Sequence, residues 1–141
     1  MDVSVEVGRG VEAELPALLA DTFDANCPTR TVLDNVTSRW AVLVLWALLD
    51  GTMRFSDLRR RVGGVSEKML AQTLQRLERD GFVHRVAHPV IPPHVDYSLT
   101  ALGEPAARQV AGLASWIEGE LSTVLAARAA YDSERAAGPV R

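Results

Sequence analysis

"SEKMLAQTLQRLERDGFVHRV", Ser66 to Val86, joins two periodicities end to end. Leu70, Leu74 and Leu77 recur at helical spacing, with Met69 and Thr73 beside them, while Phe82 to His88 alternates as a strand does. Asp80-Gly81 separates the two halves. Ser66 can cap the helix, because its hydroxyl accepts from an amide of the first turn, so a helix is expected from there to about Arg79. The face opposite the leucines holds Lys68, Gln72, Gln75, Arg76 and Arg79. The unit is basic inside an acidic chain: Arg54 to Val86 carries eight basic and four acidic residues, +4, and the rest carries seven and fourteen, −7. A local basic patch on an acidic body can bind a polyanion. The bland alternative is a well-solvated helix face.

Working outward, Ser56 is expected to cap a short helix over "DLRRRV", with Leu58 and Val62 inward and the arginines outward. Gly63-Gly64 makes the turn to the Ser66 helix. Upstream, "WAVLVLWALL", Trp40 to Leu49, belongs to a helix spanning Arg39 to Asp50, capped by Ser38 and stopped by Gly51. It is apolar on every side and should form the buried centre. Pro28 can start a short helix through Val36. Before it, Val11, Leu15, Leu18, Leu19 and Phe23 make one helical stripe. Downstream, Val95, Tyr97 and Leu99 share one face of a second strand, and "PVIPP", Pro89 to Pro93, is the hairpin tip. Thr100 then caps a long helix to about Ala127, with Leu102, Ala106, Val110, Leu113, Ile117, Leu121 and Val124 on its apolar side. The tail from Ser133 looks disordered.

The 141 residues suit one domain, with an ordinary globular balance of 48% hydrophobic and 23% charged residues. The longest apolar run is far short of the about 20 residues that cross a bilayer, and no secretory signal is visible, so a cytoplasmic protein without membrane contact is expected. One cysteine excludes an intramolecular disulfide framework. No phosphate-binding glycine loop, metal-ligand motif or nucleophile elbow occurs, so neither an enzyme nor a cofactor is expected.

The order helix, helix, turn, helix, hairpin, long helix is that of a winged helix-turn-helix: mainly α with a small β-hairpin, an α+β fold. In this geometry the second helix of the motif enters the major groove and the hairpin, the wing, reaches backbone or minor groove. A winged helix used only as a protein-interaction module, with no operator, is the alternative.

"CP" at Cys27-Pro28, "RW" at Arg39-Trp40, "RFSDLRR" from Arg54, "GVSEKMLAQTLQRLERDGFVHR" from Gly64 and "VIPPHVDYSLTALG" from Val90 resemble the HxlR-type family of bacterial winged-helix transcription regulators. The resemblance covers about residues 27–120. It implies a homodimer binding a dyad-symmetric double-stranded DNA operator and answering to reactive small molecules. Family members often carry a basic residue in place of His94 and glycines in place of Thr37 and Ser38.

The expected organisation is an N-terminal arm and extra helix over 1–26, a DNA-binding core over 27–100, a dimerisation helix over 101–132 and a flexible tail over 133–141. The candidate DNA-binding residues are Arg39, Arg54, Ser56, Ser66, Lys68, Met69, Gln72, Gln75, Arg76, Arg85 and His94. The candidate dimer interface joins Leu15, Leu18, Leu19 and Phe23 to Leu113, Trp116, Ile117 and Leu121. Cys27, ahead of a helix start and near Arg30, is either a redox or electrophile sensor or a small residue packed at a junction. His84, His88 and His94 cluster in the wing, but His84 and His88 fall on one strand face about 13 Å apart along it and no Cys or clear third ligand lies nearby, so no metal site is expected. Trp40, Trp46 and Trp116 read most simply as core or interface residues.

Overall fold

The computed structural model describes residues 21–138. The elements are α1 (Pro28–Thr37), α2 (Arg39–Leu48), β1 (Met53–Arg54), α3 (Phe55–Arg61), α4 (Glu67–Arg79), β2 (Val83–His88), β3 (His94–Leu99), α5 (Gly103–Gly119) and α6 (Leu121–Ala136). Pro28 opens α1, where its missing N–H costs no helical bond. Ala41, Val44, Leu45, Ala47 and Leu48 of α2 are all buried, so this helix is the centre of the core. Leu58 of α3, Leu70, Leu74 and Leu77 of α4, Val83 and Tyr97 of the sheet and Ala107 of α5 close around it. Among the described residues, no helix is long and apolar enough to cross a membrane.

The sheet is antiparallel with order β1-β3-β2. The hairpin was legible, but β1 was not: two residues are too few to show alternation. Its register sets Met53 opposite Tyr97 and Arg54 opposite Asp96. Val83 pairs with Leu99 and His88 with His94, so Val95, Tyr97 and Leu99 share one face, as expected.

Several expectations need correction. Phe23 is not on a helix: it sits in a turn, 93% exposed, and Leu15, Leu18 and Leu19 lie outside the described residues. Ser38 holds the N-cap position of α2 as expected but makes no capping bond, and Ser56 is not a cap. The Ser38 hydroxyl donates back to the Asn35 carbonyl at 3.1 Å, and α3 begins at Phe55, which places Ser56 inside it. Helix α2 ends at Leu48, two residues early, and Gly51 follows at φ +125°. The long helix is two, parted at Glu120 (φ −105°, ψ 11°) next to Gly119, a weak helix former. The apolar rhythm runs on through Ile117, Leu121 and Val124, so periodicity alone could not show the break. Residues from Ser133 to Ala136 are helical, not a disordered tail. Of the two readings of Trp116, core or interface, its 62% exposure removes the core.

One hub locks sheet to helices. Thr100 Oγ1 donates to the Gly81 carbonyl at 2.6 Å and accepts from Gly103 N–H at 2.9 Å, so Thr100 serves the start of α5 from just outside it. The Thr100 N–H reaches the Phe82 carbonyl at 3.1 Å. Gly103 packs so closely on Phe82 that a Cβ there would overlap its backbone carbonyl.

Candidate nucleic-acid interface

Helix α4 is held at both ends and along one side. Ser66 Oγ accepts from the Met69 N–H at 3.1 Å, the expected cap. At the far end, Asn35 Nδ2 of α1 donates to Asp80 Oδ2 at 2.9 Å, and Gly81 takes φ +85°, a value that favours glycine. Leu70, Thr73, Leu74 and Leu77 are buried, and the Thr73 hydroxyl is satisfied by the Met69 carbonyl at 2.8 Å. Position and orientation are thus decided by packing, which leaves the other face to solvent.

On that face Lys68, Gln75, Arg76 and Arg79 are exposed and Gln72 is half-buried between them. Met69 stands at the rim, 37% exposed, rather than in the inward stripe. Among the described residues, no carboxylate pairs with Lys68, Arg76, Arg79 or Arg85. Other arginines are partly committed. Arg59 lies 3.5 Å from Glu67, Arg60 pairs with Asp57, and the Arg39 guanidinium sits 4.4 Å over the Trp40 ring. Arg54 and Ser56, both exposed, flank the start of α3.

The wing residues separate. Arg85 pairs with Tyr97 and shares its face, whereas His94 belongs to the alternate face with Asp96 and His88. The His88 and His94 rings stack at 4.6 Å, and the two imidazoles flank the Asp96 carboxylate, with Nε2 atoms 2.9 Å and 4.0 Å from its oxygens. The expectation that no third ligand stands near these histidines is therefore corrected. The pattern "HPVIPPHVD" carried the signal, but only the hairpin register brings its ends together.

Cys27 precedes α1 and is 8% exposed. The Arg30 guanidinium, expected to act on the thiol, binds the carbonyls of Thr22 and Phe23 at 2.8 Å each. That interaction ties the Asp21–Asn26 turn to α1.

Leu113, Trp116 and Ile117 of α5 and Leu121 and Leu125 of α6 are all exposed. Sequence reading missed Leu125, which continues the same spacing one turn beyond Leu121.

Residues 35–124 match the family described as HxlR-like helix-turn-helix. The chain belongs to that family. It is 64% identical over 115 residues to YtfH of Escherichia coli (strain K12), described as an uncharacterized HTH-type transcriptional regulator; the match covers 82% of this chain and 88% of that one. The solved structure of ytfH from Salmonella typhimurium is 66% identical with a TM-score of 0.74, over 75% of this chain and 95% of that chain. The redox regulator HypR in its reduced form is 31% identical with a TM-score of 0.63, over 70% of this chain and 98% of that one. As an HxlR-type winged helix-turn-helix, the chain is a transcription regulator, and α4 is the second helix of its helix-turn-helix.

Proposed function

We propose that this HxlR-type regulator binds a dyad-symmetric operator as a homodimer, with α4 in the major groove and the β2–β3 wing against the adjoining backbone. The observation that carries this reading is the outer face of α4, where Lys68, Gln72, Gln75 and Arg76 project from a helix fixed by its cap and by the core. Lysine and arginine neutralise phosphates, and glutamine and arginine can pair with base edges. The exposed apolar side chains from Leu113 to Leu125 support the dimer: an isologous contact would cover them and set the spacing of the two α4 helices. Selection from random duplexes with the purified chain tests this. Recovery of an inverted repeat is the expected result, and recovery of no preferred sequence would leave only the interaction-module reading.

A response to oxidants through Cys27 is a second reading, favoured by the likeness in fold to HypR, a redox regulator. Burial of Cys27 sets a condition: reagents reach the sulfur only if the packing around it opens. With one cysteine per chain, any disulfide forms to another subunit or to a small thiol. Hypochlorite or diamide should change the operator affinity of the wild type, and Cys27→Ser should abolish the change. An equal response in both proteins, or none in either, makes Cys27 a packing residue.

A further inference from the structure

The turn of the wing gathers three metal-ligating side chains, of which only His94 is also a candidate DNA contact. His88 ends β2, His94 begins β3, and the two are direct cross-strand partners. Asp96 lies two residues beyond His94 and so projects from the same face. One donor atom from each of the three lies within 4.8 Å of the other two. Asp96 Oδ2 is 2.9 Å from His88 Nε2, and Oδ1 is 4.0 Å from His94 Nε2. Donors around a tetrahedral zinc ion, at about 2.0–2.2 Å from the metal, stand roughly 3.3 Å apart. These two spacings, to the two oxygens of Asp96, bracket that value. All three residues are half-buried, which leaves solvent to complete the coordination sphere.

We infer that His88, His94 and Asp96 bind one divalent first-row transition cation at the base of the wing tip. Two imidazoles and a carboxylate favour zinc, nickel, cobalt or copper over the oxygen-seeking calcium and magnesium. Pro89, Pro92 and Pro93 in the connecting loop restrict its backbone and lower the entropy lost in assembling the ligands. Arg54 of β1 lies opposite Asp96 in the ladder, so its charge opposes the cation's. The ion's consequence for DNA rests on the proposed operator binding. From Val86 to Leu99 the hairpin has no Lys or Arg, and Asp96 gives it a negative charge. A bound dication reverses that sign and ties β2 to β3 where the wing would meet phosphates.

The test is calorimetric titration of zinc chloride into the full chain, free of chelators. One equivalent per chain is expected. His88→Gln, His94→Gln and Asp96→Asn should each weaken binding about ten-fold or more, and His84→Gln, on the same face of β2 but outside the cluster, should leave it unchanged. Nitrogen-15 spectra of the three imidazoles should show His88 and His94 shifting with zinc and His84 static, a readout that does not depend on a variant folding. Binding no tighter than millimolar, or equal binding by the His88 and His94 variants, overturns the site. Gel shifts form a separate arm, in which zinc should tighten operator binding by wild type and not by His94→Gln. A protein that binds zinc but no DNA would refute the operator reading and leave the metal site standing.

Discussion

Helix α4 buries Leu70, Leu74 and Leu77 and turns its charged and amide side chains to solvent, whereas α5 and α6 turn Leu113, Trp116, Ile117, Leu121 and Leu125 outward. Both are amphipathic, but the chain itself covers the leucines of α4 and not the larger apolar side chains of α5 and α6. The buried residues of α5, Gly103, Ala107 and Ala111, are small, so that helix sits close on α2 while its larger apolar side chains face away. α6 buries none of its residues. The difference assigns the two outer faces to different chemistry. A polar, basic face suits a hydrated polyanion, while an apolar stripe is satisfied only by another apolar surface.

The sharpest way to break this contrast is to truncate the same residue type on each helix. Leu74→Ala should cost about 2–5 kcal/mol of stability in urea unfolding, whatever the protein concentration, because the cavity lies within one chain. A loss under about 1 kcal/mol would mean that α4 is not anchored as described. Trp116→Ala should instead act on association. We expect a loss of about 2 kcal/mol or more in dimer stability, read by sedimentation, and thermal unfolding that depends on concentration more weakly than in the wild type. A wild-type chain that sediments as a monomer at micromolar concentration would defeat the assignment of the stripe.

On the polar side, Gln72→Ala should lose about 1–3 kcal/mol of operator affinity and relax sequence preference without altering sedimentation. Arg85→Ala should weaken all duplexes alike and lower the salt slope by about 1, since a phosphate contact carries no base information. If Gln72→Ala lowered affinity for every sequence equally, α4 would be reading backbone rather than bases. The smallest effect is expected at the cap: Ser66→Ala should cost about 1 kcal/mol of stability, through the lost bond to the Met69 amide. No measurable change there would show that the core alone sets the start of α4.

The sequence by itself determined the recognition unit and its surroundings. Ser66, the leucine spacing and Asp80-Gly81 specify a local structure whose signals are a few residues apart, and periods of 3.6 and 2 survive in the letters. The central placement of α2 was equally legible, because a helix apolar on every side has nowhere else to go. What tertiary structure decided is everything that depends on distant residues meeting. Strand β1 exists only because Met53 and Arg54 pair with Tyr97 and Asp96. Ser38 and Ser56 have capping chemistry, yet Ser38 at the N-cap of α2 bonds back to Asn35 instead, and Ser56 falls inside α3. Cys27 carried the same letters whether reachable or buried, and packing made it buried. The His88, His94 and Asp96 cluster is spread over nine residues of sequence and becomes one only when the ladder sets His88 against His94. Capping and periodicity are properties of neighbours in the chain, whereas register, burial and ligand geometry are properties of neighbours in space.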